Sequence, residues 1–380
     1  MGNRWTALAL VFVTRTSMGV QFQALASVAP LLVSQLALSY AQVGTLIGLY
    51  MLPGAFFALP GGVIGRRFGE RRVVVLGLAL MVAGGVLTAS AHGFATAAAG
   101  RLVSGVGAVL MNILLPKLVA DWFVGKEVST AMAVMLTAWP VGLGLATATM
   151  GGLAAATSWR TAMLATAALA GLGLVLMLLF REAPSTPAAA RVPLTASDVR
   201  AGASAGFAWG CFNASLVAII AFGPGLLIAR GVAIGDAGFV VSLAVWITML
   251  SVPIGGLVSD RLGRPNTIIV GGSLVAAVVI ALLPVMPHDA IGFCLVGLTI
   301  GLPPGPIMAL LPRALPPEHV TAAFGVYYTV FYAMMALTQP AAGLVRDVAG
   351  DPAAPIVFAA LVMAATVVGL GIFRRLQRMA

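Results

Sequence analysis

Apolar runs of about 20 residues succeed one another along almost the whole chain, and about 20 is the number of residues that carries an α-helix across a hydrocarbon core. Only 8% of the 380 residues are charged and 61% are hydrophobic. A soluble domain carries roughly 25% charge, so no soluble core could hide this much apolar surface. In lipid every backbone N–H and C=O must find a partner inside the protein, which leaves helices and closed barrels as spanning structures. Barrel strands read as short alternating segments. These runs are continuous, and the chain is expected to be an all-α membrane protein. Twelve spans are expected, at 5–35, 42–62, 73–92, 95–118, 128–155, 160–180, 201–228, 237–258, 267–286, 290–312, 320–344 and 354–373.

The polar residues between the runs set the orientation. With the N-terminus in the cytoplasm, sixteen of the 21 Lys and Arg fall at the inner ends of the spans. Only Arg160, Arg230 and Arg346 fall at the outer ends, and Arg15 and Arg101 lie within spans. The positive-inside rule therefore places both termini in the cytoplasm of a multi-pass protein of the cytoplasmic (inner) membrane. The net charge of +10 is explained by these loops, and no nucleic-acid partner is expected. Trp5, Trp122 and Trp159 stand where interfacial anchors stand. The start at Gly2 matches a short acylation pattern, but a spanning run follows at once, so neither an acyl anchor nor a cleaved leader is expected. Cys211 and Cys294 both lie in apolar runs and form no metal-like or disulfide spacing.

The longest polar interruption, 181–200, falls halfway and contains Pro184 and Pro187. It divides the chain into 1–180 and 201–380, with 181–200 as a cytoplasmic linker. The halves repeat. An offset of 194 carries Gly69 to Gly263, Gly44 to Gly238 and Pro30 to Pro224, the signature of two parallel six-helix units. The loop after span two reads Gly62-Val63-Ile64-Gly65-Arg66-Arg67-Phe68-Gly69-Glu70-Arg71-Arg72, and the loop after span eight reads Gly256-Leu257-Val258-Ser259-Asp260-Arg261-Leu262-Gly263-Arg264.

On these loops, in a twelve-span frame, the chain resembles the major facilitator superfamily over essentially its whole length. The loops are similar to that family's Gly-x-x-x-Asp-Arg-x-Gly-Arg-Arg signature. The resemblance implies a conformational-gating role for Gly62, Arg67 and Gly69 in one copy, and for Gly256, Asp260, Arg261, Gly263 and Arg264 in the other. Arg66 stands where the family has its Asp, and Glu70 is the available substitute. Arg101, Gly105 and Gly107 resemble the family's Arg-x-x-x-Gly-x-Gly in span four, whereas Trp139-Pro140-Val141-Gly142 matches the antiporter motif poorly. Among subgroups the pattern is most similar to the cyanate-permease-like carriers, on Arg15 within span one and Leu114-Leu115-Pro116 closing span four.

Ionisable groups inside a membrane are costly and usually functional. Every Asp, Glu and His lies in a loop or at a span end, so the interior holds only the cations Arg15 and Arg101. A guanidinium matches planar anions through its fork of donors. Arg15, roughly 15 Å along its helix at 1.5 Å per residue, is read either as the binding group for a substrate anion or as a structural cation bonded to carbonyls. Arg101 is read as a second ligand or as a packing and gating residue. Lys117 is read as snorkelling to the inner surface. Gln23, Asn112, Trp139, Trp209, Asn213, Tyr328 and Tyr332 are the candidates to complete a pocket, against ordinary packing for the aromatics. Trp209 is the 194-offset partner of Arg15. Gly301, Pro303, Pro304, Gly305 and Pro306 are expected to break span ten.

The expectation is a secondary transporter of a small organic or inorganic anion, working as a monomer by alternating access and needing no cofactor. The rivals are proton-coupled efflux of drug-like or apolar compounds, which calls for a buried acid, and a transport-dead membrane sensor, which calls for an extra domain. No nucleophile–base set and no phosphate-binding loop is present in the sequence, so neither an enzyme nor an ATP-driven pump is expected.

Overall fold

The computed structural model describes residues 3–124, 127–183 and 193–379. Gly2, Lys126, Arg191 and residues 184–187 of the expected linker lie outside the described residues. The described residues form sixteen helices: α1 (Arg4–Ser27), α2 (Ala29–Leu36), α3 (Tyr40–Phe57), α4 (Gly61–Phe68), α5 (Glu70–Ala89), α6 (Phe94–Trp122), α7 (Val128–Ala156), α8 (Trp159–Leu179), α9 (Ala196–Ala229), α10 (Ile234–Leu262), α11 (Pro265–Leu282), α12 (Asp289–Ile300), α13 (Pro304–Met308), α14 (Leu310–Ala314), α15 (Pro317–Ala349) and α16 (Ala354–Met379). Eleven spans are long and apolar enough to cross a membrane, and α1 with α2, bent by 52°, makes a twelfth among the described residues. The protein is an all-α, multi-pass membrane protein.

Local chemistry sets the ends. Ser39 and Gln42 form a reciprocal capping box at the start of α3, and Thr195 and Asp198 form another at α9, each satisfying two otherwise orphaned backbone donors. The bend between α1 and α2 falls just ahead of Pro30, in the first turn of α2, where a proline ring and its missing N–H interrupt the helical ladder. Span ten is broken, as its prolines require. α12 ends at Ile300, and α13 begins at Pro304. The break lets backbone meet backbone: a Cβ on Gly255 of α10 would stand 2.4 Å from the Leu302 carbonyl oxygen.

Helices α1–α8 and α9–α16 meet along two seams, α3 against α15 and α7 against α10. Small residues make both. A Cβ at Gly44 would stand 2.1 Å from the Gln339 carbonyl oxygen, and one at Gly238 would stand 2.4 Å from that of Thr147. Without a Cβ the helices approach to backbone contact, where dispersion rather than the hydrophobic effect drives association in lipid. Gly44 and Gly238 are related by the 194-residue offset, so one repeated glycine serves both seams. The same offset relates Gly69 and Gly263, which end the signature loops at φ +88° and +62°, a left-handed region open to glycine at little cost. Pro30 and Pro224 diverge: one follows the bend, the other lies inside the unbroken α9.

The seams are latched at the face opposite the chain termini. The Asp347 carboxylate at the end of α15 accepts hydrogen bonds from the backbone N–H groups of Tyr40 (2.9 Å) and Ala41 (2.7 Å) at the start of α3. Arg346 lies over the Tyr40 ring at 5.0 Å. On the face carrying the termini, the pairs Arg4–Glu127, Lys117–Asp121 and Arg313–Asp260 each stay within one set of helices.

Substituting Gly44 by Ala is expected to cost about 1–3 kcal/mol through overpacking of the seam. Gly62→Ala, where a Cβ meets nothing within 4 Å, is expected to be neutral or mildly stabilising. Thermal unfolding of the purified variants in one detergent checks the contrast, and equal losses at both positions would contradict the seam argument.

Candidate functional site

The two intramembrane arginines are solved in opposite ways. Arg101 on α6 is 1% exposed. Its Nε donates to the Leu46 carbonyl (3.0 Å), Nη1 to that of Gln21 (2.9 Å) and Nη2 to that of Phe22 (3.1 Å). Its guanidinium sits 4.4 Å from the centre of the Tyr50 ring. Gly105, one turn on, lets α3 come close enough for this: a Cβ there would stand 2.5 Å from the Tyr50 carbonyl oxygen. Arg101 thus ties α6 to α1 and α3, and its fork is filled by carbonyls. Of the two readings taken from the sequence, this geometry is that of the packing residue.

Arg15 on α1 is 8% exposed. Its Nε is buried with no hydrogen-bond partner. Among the described residues it makes no ion pair, and the groups within electrostatic reach are the hydroxyls of Tyr332 and Tyr328 on α15. Isolated buried charge is among the costliest features a fold can carry. Here it persists beside two polar but uncharged phenols contributed from across the seam.

Around this cation the structure gathers several of the other candidates. Tyr332 is 2% exposed, and its hydroxyl accepts a 2.8 Å hydrogen bond from Asn112 Nδ2 on α6, while Asn112 Oδ1 has no partner. Phe331 connects this group to Trp209, with ring centroids 6.2 Å from Tyr328, 4.9 Å from Tyr332 and 6.4 Å from Trp209. Trp209 also stacks on Tyr327 at 6.3 Å and on Phe212 at 5.5 Å. Arg15, Asn112, Tyr328, Tyr332 and Trp209 therefore belong to one neighbourhood drawn from four helices.

The remaining candidates lie elsewhere. Gln23, fully buried, donates to the Ile220 carbonyl (3.2 Å) and ties α1 to α9, with its Oε1 unpaired. Gln339 repeats this from α15, donating to the Ala214 carbonyl at 3.1 Å. Trp139 packs on Phe22 with centroids 5.4 Å apart. Asn213 donates to the Trp209 carbonyl on its own helix (2.9 Å). Phe331 and Tyr327 are site neighbours that sequence reasoning missed, as it missed Phe22 and Tyr50 beside Arg101. Phe331 alone carried a usable signal, since it follows Tyr328 at i+3 on the same helical face.

The signature loops lie on the face carrying the termini. Gly62 and Gly256 stand in open space, and Arg67 lies over the Phe68 ring. Asp260 pairs with Arg313 at 2.9 Å. Arg261 closes α10, and Arg264 precedes α11. Glu70, the available replacement for the missing Asp, stands 3.9 Å from Lys117, which also pairs with Asp121 at 2.7 Å. Lys117 is thus an ion-paired residue rather than a free snorkelling one. Trp159 departs from the anchor reading as well. It is 1% exposed, under the guanidinium of Arg160 at 4.5 Å.

The family model of the Major Facilitator Superfamily matches residues 11–338 and 200–378. The chain belongs to that family. It is 24% identical over 253 residues to the hexuronate transporter of Bacillus subtilis (strain 168), covering 62% of this chain and 60% of that protein. It is 31% identical over 160 residues to the 3-(3-hydroxy-phenyl)propionate transporter of Escherichia coli (strain K12), covering 40% of this chain and 38% of that one. The chain thus spans less than two thirds of the length of either relative. In fold it is similar to the nucleoside transporter NupG, with a TM-score of 0.76 at 14% identity, covering 100% of this chain and 99% of that one. It is likewise similar to a bacterial homolog of the human lysosomal transporter Spinster, with a TM-score of 0.74 at 15% identity, covering 99% and 96%.

The contrast between the arginines predicts opposite effects on stability. Arg101→Met removes three charge-assisted hydrogen bonds and is expected to cost about 3 kcal/mol or more. Arg15→Met removes an unpaired buried charge and is expected to leave thermal stability unchanged or raised. Melting curves of the two variants side by side decide this.

Proposed function

We propose that this protein is a secondary transporter that moves a small anion across a cytoplasmic membrane by alternating access, with Arg15 as the group that holds the anion. The observation that supports the reading is Arg15, whose Nε is buried with no hydrogen-bond partner among the described residues, set where helices from both halves of the chain converge. A planar carboxylate or a small inorganic anion would supply the missing acceptors through a forked, charge-assisted pair. The relatives named for hexuronate and for 3-(3-hydroxy-phenyl)propionate carry carboxylate names, which favours an anion over a neutral cargo. The similarity to cyanate-permease-like carriers, on Arg15 and Leu114-Leu115-Pro116, belongs to this same reading.

In the proposed cycle, residues 1–180 and 201–380 rock about the two glycine seams, joined by 181–200, and the signature loops brace the opposite state. With both termini in the cytoplasm, the Asp347 latch lies on the outer side. In this reading the Asp347 carboxylate, clamping the positive end of α3 across the seam, closes the outer side. Opening outward costs those two charge-assisted bonds and the Arg346–Tyr40 contact. Among the described residues no acid is paired with Arg15 to carry a coupling proton, so the substrate gradient or a proton bound together with the substrate would supply the drive. In this reading the working unit is a monomer.

Counterflow of radiolabelled carboxylates in proteoliposomes tests the reading. Arg15→Ala is expected to lower carboxylate uptake at least about tenfold in protein that still folds, and uptake unaffected by that change would rule the anion site out. Asp347→Asn is expected to speed amide hydrogen exchange at Tyr40 and Ala41 by about fivefold, the equivalent of one lost helix cap of about 1 kcal/mol. Unaltered exchange there would show that the latch carries no load.

A further inference from the structure

Among the described residues the chemistry around Arg15 is one-sided: a single cation at one end, and beyond it a run of aromatic rings with no second charge. Tyr328 and Tyr332 lie within electrostatic reach of Arg15. Phe331 joins them to Trp209 through ring contacts of 4.9–6.4 Å. Tyr328, Phe331 and Trp209 are each only partly buried, although Trp209 already stacks on Tyr327 and Phe212 and Tyr328 stacks on Phe324. In the repeat, Trp209 stands where the other half has Arg15. The two halves thus bring a cation and an indole to equivalent positions, with the α15 aromatics between them.

A fully solvated inorganic anion or a short aliphatic acid would use the guanidinium and leave these faces idle. Aromatic rings pair by offset stacking or edge-to-face contact, beyond the area they bury. An aromatic ring carrying a carboxylate uses both ends of the neighbourhood at once. We infer that the cargo class is an aromatic monocarboxylate, its carboxylate on Arg15 and its ring against Tyr328, Phe331 and Trp209. This rests on the anion reading above and deepens it. Asn112 Oδ1, buried beside Tyr332 without a partner, adds a place for one hydrogen-bond donor on the ring.

The test is calorimetric titration of the purified full-length protein with four probes: benzoate, cyclohexanecarboxylate, acetate and benzyl alcohol. Benzoate is expected to bind about three- to tenfold more tightly than cyclohexanecarboxylate, the factor that aromatic pairing contributes, and more tightly still than acetate. Phe331→Leu is expected to remove the preference for benzoate over cyclohexanecarboxylate while both still bind, and Trp209→Leu serves the same purpose if the first variant does not fold. Benzoate and cyclohexanecarboxylate binding equally to the unaltered protein would overturn the aromatic inference and leave the anion site standing. Benzyl alcohol binding as tightly as benzoate would overturn the anion site itself, and the aromatic carboxylate with it.

Discussion

Hydrocarbon offers no hydrogen bonds, and that one fact organises this molecule. Helices satisfy their own backbones, so what remains to be solved in the membrane is the handful of polar side chains. Arg101 is solved completely: three carbonyls on two helices fill its fork, and Tyr50 covers its face. The same chemistry that makes an intramembrane arginine look like a ligand-binding group here makes it a rivet. Arg15 is the complement. Its Nε is buried without a hydrogen-bond partner, with the phenols of Tyr332 and Tyr328 in reach, and an ionisable group kept in the interior at such a cost is usually functional.

The second constraint is the lack of a hydrophobic drive between helices in lipid. Tight association then requires either backbone proximity or polar contacts. Gly44 and Gly238 provide the first at the two seams. Gln23, Asn112 and Asp347 provide the second, each reaching from one half of the chain to the other. The large side chains that cross the seams, Tyr332 against Gly54 and Trp246 against Gly144, rest on glycine as well. The exposed capping carboxylate of Asp347 is the contact most readily exchanged for water.

Much of this was legible in the residues. Continuous apolar runs required helices, and the 194-residue offset marked glycines that turn out to share structural roles. The break in span ten followed from Pro303, Pro304 and Pro306, whose missing donors no neighbouring helix can restore. The gathering of Arg15 with Tyr328 and Tyr332 was legible only in part. Their residue types were conspicuous, and Phe331 shares a helical face with Tyr328 at i+3, but Tyr327 looked like any lipid-facing aromatic, because nothing in the sequence says which neighbouring helix a ring meets.

Sequence alone determined the fold class, the membrane and the repeat, since these depend on composition and spacing, which are properties of the chain taken one residue at a time. The fate of each buried charge was decided by tertiary structure. Arg15 and Arg101 are the same residue type, each within an apolar run, and the runs do not say which of them finds a protein partner. Three carbonyls from α1 and α3 happen to meet Arg101 and none meet Arg15, because helix bending and the glycine contacts set where those carbonyls lie. A partner for a charge is a point in space, and only the packed bundle specifies it.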